Sequence, residues 1–131
     1  MATARFRRYV ESGEIDDIAG LLAEDVVFRS PTMDVPLVGR SAVIDVLHAV
    51  HEIFRDFRYT DALQSDDSGA LFFSTRIGRE EARGLDYLRL REDGLISQFH
   101  VYIAPLPAVA TLSQAMFPRL LRRGILPIPS A

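Results

Sequence analysis

Residues Gly84 to Ile103, GLDYLRLREDGLISQFHVYI, decide the fold. They read as two apolar strands joined by a tight turn at Glu92-Asp93-Gly94, the signature of an antiparallel hairpin. Side chains alternate between the two faces of a strand. Asp86 therefore shares a face with Leu88 and Leu90, which should be buried. A carboxyl on a buried strand face is costly unless something there uses it. The simplest account is a buried face that lines a cavity.

Working outward, periodicity of two extends back to Phe57. Strands are expected at 57–64, 70–78, 84–91 and 95–103, separated by Asp66-Asp67-Ser68-Gly69, Gly78-Arg79-Glu80-Glu81 and Glu92-Asp93-Gly94. Sequential hairpins imply an antiparallel meander. Before it, Val43, Leu47, Val50 and Phe54 recur at helical spacing and predict a helix over 42–55, with Ser41 as its N-cap. Two shorter helices are expected at 4–12 and 15–23, with Gly13 between them. Val26-Val27-Phe28-Arg29 predicts a short strand stopped by Pro31. The loop from Pro31 to Gly39 is too rich in Pro and Gly for regular structure. After Pro105 and Pro107 a helix is expected over 108–122, with Pro118 as a possible break. The tail GILPIPSA is apolar and unsuited to helix. Helices first and then a sheet make an α+β domain.

The 131 residues fit one domain, 1–131, with 48% apolar and 25% charged residues. There is no cysteine, so thiol catalysis, disulfides and cysteine metal sites are excluded. A net charge of −3 and a pI of about 5.6 argue against a nucleic-acid partner. No apolar run approaches the roughly 18 residues of a membrane span, and MATARFRRYVESGEI lacks the apolar run of a signal peptide. A cytoplasmic protein without a membrane partner is expected. No phosphate loop, nucleophile elbow or dinucleotide fingerprint occurs, so no cofactor is expected.

The order helix, helix, strand, Pro-rich loop, long helix, four-stranded meander resembles the NTF2-like fold, and within it the SnoaL-like branch, related to ketosteroid isomerases and limonene-epoxide hydrolases. GEIDDIAGLLAEDVVFRSP, VGRSAVIDVL and GLDYLRLREDGLISQFHVYIAPL carry the resemblance over roughly residues 5–107. It implies a cone: a curved antiparallel sheet wrapped by three N-terminal helices, here with an extra C-terminal helix. It also implies roles for particular positions. Isomerases carry an oxyanion-hole aspartic acid, and epoxide hydrolases a catalytic aspartate, on the third meander strand, where this chain has Asp86. The isomerase base precedes the proline after the first strand, which here is Ser30. The isomerase tyrosine falls near Phe6. The epoxide-hydrolase arginine falls at Gly84 and its second aspartate at Val101. Only Asp86 matches both patterns.

The catalytic candidates are therefore Asp86, Ser30 and Asp34. Asp34 could replace the missing base if its loop folds inward. Burial should raise the pKa of Asp86, making it a hydrogen-bond donor or a general base. Tyr59 and Tyr102 could supply a phenol. By parity and resemblance, Phe28, Leu88, Phe99, Val101 and Ile103 should line the ligand cavity. His100 and Tyr102 have the opposite parity and should lie on the outer sheet face, through which related proteins dimerise. His48 and His51 sit three apart on the long helix, but no third ligand is evident, so no metal site is expected. The basic residues Arg7, Arg8, Arg119, Arg122 and Arg123 read as solvated helix faces.

Three function classes follow. One is a cofactor-independent isomerase, cyclase or hydrolase of a polyketide, steroid or terpenoid type of molecule. The second is a non-catalytic carrier or sensor of such a ligand. The third is a dimeric protein-interaction module using the outer sheet face. A second polar group converging on Asp86 would favour the enzyme.

Overall fold

The computed structural model describes residues 2–125. Six strands form one open sheet in the order β2-β1-β6-β5-β4-β3. In chain order these are β1 Leu22–Arg29, β2 Leu37–Val38, β3 Phe54–Gln64, β4 Ser68–Ile77, β5 Glu80–Leu90 and β6 Ile96–Ala104. The helices are α1 Ala2–Ser12, a 3₁₀ segment Ile15–Leu21, α2 Arg40–Ile53 and α3 Leu106–Arg122.

The strand expectations for the meander hold to within four residues at each end, the largest difference being at the start of β5, which begins at Glu80 rather than Gly84. In β4 every second residue from Gly69 to Ile77 is buried, with Leu71, Phe73 and Thr75 between them. That alternation is the sequence period of two made physical. The core joins this face to the helices. Phe99 of β6 meets Phe6 of α1 and Phe28 of β1 edge to face, at ring-centroid distances of 5.2 and 5.1 Å. Val43, Val46 and Ala49 bury the sheet-facing side of α2, and Ala108, Leu112, Met116 and Leu120 bury α3.

Several expectations need correction. The sheet is mixed, because β1 runs parallel to β6 with Phe28 opposite Phe99. The chain can place β1 there only after α2 and the whole meander intervene, a non-local pairing that local pattern cannot reveal. The first strand starts at Leu22, four residues before the expected Val26. The expected second helix is a 3₁₀ segment ending at Leu21. The Pro-rich loop contains the two-residue strand β2, which pairs antiparallel with Val27 and Phe28. Gly39 rather than Ser41 precedes α2, with φ of 112°, a left-handed value that suits glycine. Pro118 does not break α3. It and Gln114, whose carbonyl loses its usual donor, are both exposed, so water can satisfy that carbonyl. Of the tail, only Gly124 and Ile125 fall within the described residues.

Among the described residues no helix is long and apolar enough to cross a membrane.

Candidate functional site

A cavity of about 220 Å³ lies between the inner sheet face and the helices. Its walls are mostly apolar. β1 and β6 contribute Phe28, Phe99, Val101 and Ile103. α2 contributes Val46, Leu47 and Val50, and α3 contributes Leu112 and Met116. Leu47 and Val50, whose helical spacing predicted this helix, are only partly buried because the cavity is what they face. On the other side Phe54, Phe57 and Phe73 form an aromatic wall, with Phe57 5.9 Å from Phe54 and 5.0 Å from Phe73.

Asp86 projects into this cavity from β5. It is 7% exposed. In register it lies between Leu71 of β4 and Val101 of β6, so its strand neighbours offer no charge. Its partner comes from one strand further away. The hydroxyl of Tyr59, on β3, donates to Asp86 Oδ2 at 2.8 Å. Tyr59 is opposite Phe73, which is opposite Gly84, so its ring must cross β4 to reach Asp86. Tyr59 is 7% exposed and packs edge to face on Phe57 at 4.9 Å.

The electrostatics follow from burial. Loss of water disfavours the charged carboxylate and pushes Asp86 from 3.8 up to about 7, against a smaller lowering by the Tyr59 hydrogen bond. The Tyr59 phenol is held well above 10, first by its own burial and then by the adjacent Asp86 charge. Arg7 opposes that rise, because its guanidinium lies 5.5 Å from the Tyr59 ring centroid. Arg7 is in turn 3.4 Å from Glu11, which lines the cavity. Among the described residues no cationic side chain pairs with Asp86 within 4.0 Å.

The other named residues separate. Ser30 lines the cavity, but its Oγ is 3.0 Å from Thr32 Oγ1 and accepts from the Thr32 amide at 3.2 Å. Asp34 is exposed and lies outside the cavity lining, so it is not brought to Asp86. Leu88 is fully buried core and is not part of the wall. One pleat along β5 from Asp86, it lies opposite Gly69 of β4 and Phe99 of β6. Glu11, Thr32 and His51 reach the cavity without having been singled out for it. His48 instead contacts Asp16 at 2.7 Å, and among the described residues no three His, Asp or Glu groups are placed to hold a metal.

Gly84 explains the absent arginine of the epoxide-hydrolase pattern. A Cβ there would collide with the Tyr102 carbonyl oxygen and come within 2.7 Å of Phe73 Cζ. The space a longer side chain would use is filled by the ring that supports Tyr59. The Tyr59 contact itself had a sequence signal: Tyr59 shares strand parity with Phe57. What the sequence did not reveal was the register, which sets Tyr59 opposite Phe73 and so within reach of Asp86.

The model of the SnoaL-like domain family matches residues 3–99. An uncharacterised protein with a cystatin-like fold from Silicibacter pomeroyi is 36% identical at a TM-score of 0.89, over 94% of this chain and 87% of that one. A steroid delta-isomerase from Pseudomonas aeruginosa is 31% identical at a TM-score of 0.88, over 95% and 93%. A hypothetical protein with a ketosteroid isomerase-like fold from Catenulispora acidiphila, in complex with trimethylamine, shares the fold at 15% identity and a TM-score of 0.64, over 90% and 94%. No curated protein matches the chain.

Proposed function

The chain belongs to the SnoaL-like family of the NTF2-like superfamily, related to ketosteroid isomerase, and on that premise we propose that it binds an apolar small molecule in a conical cavity and acts on it by acid–base chemistry. The observation that carries this reading is the Tyr59–Asp86 pair inside a mostly apolar cavity. A carboxyl poised at about 7 is close to the optimum for moving a proton at neutral pH. While protonated, Asp86 donates a hydrogen bond to a developing oxyanion; once ionised, it accepts a proton. The Tyr59 hydroxyl fixes Oδ2 and leaves Oδ1 to face the ligand. The apolar walls fit the ring systems of polyketides, steroids or terpenoids, and they keep water from competing for the proton. The reaction class is proton transfer beside a carbonyl, as in isomerisation or cyclisation, without a cofactor.

A steroid delta-isomerase is among the similar proteins, so a β,γ-unsaturated ketosteroid is the first substrate to offer. Its conversion to the conjugated enone is read by ultraviolet absorbance. Turnover that falls at least about a hundredfold in Asp86→Asn supports the reading. Absence of turnover with retained binding supports the second reading, a carrier or sensor. That second reading is favoured by one observation: Ser30 stands where an isomerase has its base and is turned toward Thr32.

A homodimer through the outer sheet face belongs to the same proposal. Tyr102 is 56% exposed there, beside His100 at 6.4 Å, which is 5.8 Å from Tyr87. Burial of such an aromatic patch against a second copy would remove it from water.

A further inference from the structure

We propose that the outer face of the sheet carries a site for a phosphate-type oxyanion, in the hollow where Arg58, Arg76 and Arg83 surround Ser74. The hollow has a volume of about 390 Å³ and shares no residue with the Asp86 cavity. Strand register builds it. Arg58 of β3 and Arg83 of β5 both pair with Ser74 of the central strand β4. Arg76, two residues along β4, is paired with Arg55 and Glu81. Paired residues on neighbouring strands share a face, so the guanidiniums of three strands are brought to one patch.

The charge there is only partly compensated by the protein. The carboxylates in the hollow are Asp56 and Glu81. Arg76 reaches Glu81 only at 3.8 Å, with the two side chains 50% and 88% exposed. Among the described residues neither Arg58 nor Arg83 has a carboxylate within 4.0 Å. Arg58 instead donates through Nε to Ser74 Oγ at 3.2 Å, which leaves its terminal nitrogens free of that bond. Arg55 stands directly across from Arg76, and like charges in that relation are destabilising. A chain of net charge −3 thus concentrates arginine where arginines repel one another.

Guanidinium groups present planar forks of donors that match the oxygens of phosphate or carboxylate. Three forks around one hydroxyl fit a ligand with at least three acceptor oxygens. Phosphate meets that count; a single carboxylate has two. The patch is too small, and the chain too acidic, for a nucleic-acid track.

The test is a titration of the full chain with inorganic phosphate and pyrophosphate, at constant ionic strength set with chloride. Backbone and arginine Nε–H resonances are followed by NMR. Saturable shifts centred on Ser74, Arg58 and Arg83 are expected. They should weaken at least tenfold in Arg58→Gln/Arg83→Gln, with either single variant giving part of that loss, and persist in Asp86→Asn. These arginines are exposed, so the remaining spectrum checks that each variant is folded. Shifts that chloride reproduces, shifts that do not saturate, or shifts unchanged in the variants would overturn the site. So would no shift at all, the result expected if a second copy of the chain covers the hollow.

Discussion

The Tyr59 hydroxyl donates to Asp86 Oδ2 at 2.8 Å across an intervening strand, inside a cavity whose other walls are largely apolar. Two residues 27 positions apart are thus joined by one buried hydrogen bond. The pair has consequences for stability as well as chemistry, and the two can be measured separately.

The first concerns pH. The folded-state pKa of Asp86 is about 7 against 3.8 when exposed. Between those values the folded protein holds a proton that the unfolded chain has lost. Stability from this group is therefore full below 3.8, falls as pH rises, and is level again above about 7. At roughly 1.4 kcal/mol per pH unit the loss is about 4 kcal/mol across the window. Urea melts of Asp86→Asn between pH 4 and 8 should lose most of that slope. An unchanged slope would place its origin elsewhere.

The second concerns the pair itself. The Tyr59 hydrogen bond lowers the Asp86 pKa against the effect of burial. Tyr59→Phe should raise that pKa above about 7, read as the carboxyl carbon shift in an NMR titration. Asp86→Leu alone strands a buried hydroxyl, a cost of about 1–3 kcal/mol, whereas replacing both partners by apolar groups does not. At pH 8 the Tyr59→Phe/Asp86→Leu protein should be more stable than Asp86→Leu. Additive single effects would deny the coupling.

Gly84 gives the third. A methyl there meets the Tyr102 carbonyl and the Phe73 ring. Gly84→Ala should destabilise by about 1–3 kcal/mol through overpacking. It should also displace Phe73, and with it Tyr59, so the Asp86 pKa should move. A variant as stable as the parent would mean that β5 and β6 can separate slightly at no cost.

A fourth concerns assembly. If the aromatic patch of Tyr87, His100 and Tyr102 joins two copies, Tyr102→Glu should lower the sedimentation coefficient to that of a 14.7 kDa monomer. A parent protein already sedimenting as a monomer would remove the dimer from the proposal.

How much of this was legible beforehand depends on the range of the interaction. Asp86 on an inward strand face, the meander and the turns were readable, because alternation and turn chemistry are local. So were Phe28, Phe99, Val101 and Ile103 as cavity wall residues by parity and resemblance. Asp34 and Leu88 were placed less well. Whether a loop folds inward, or a strand residue meets open volume or packed helix, depends on contacts far along the chain.

The sequence by itself determined the α+β order of elements, the buried face of GLDYLRLREDGLISQFHVYI and the anomalous acid on it. Short-range pattern and the cost of burying charge suffice for that. Only the tertiary structure decided that β1 lies parallel to β6, that Gly84 yields its space to Phe73, and that Tyr59 reaches over β4 to Asp86. Those are matters of register between distant segments, and register is fixed when strands pair, not by any one strand alone.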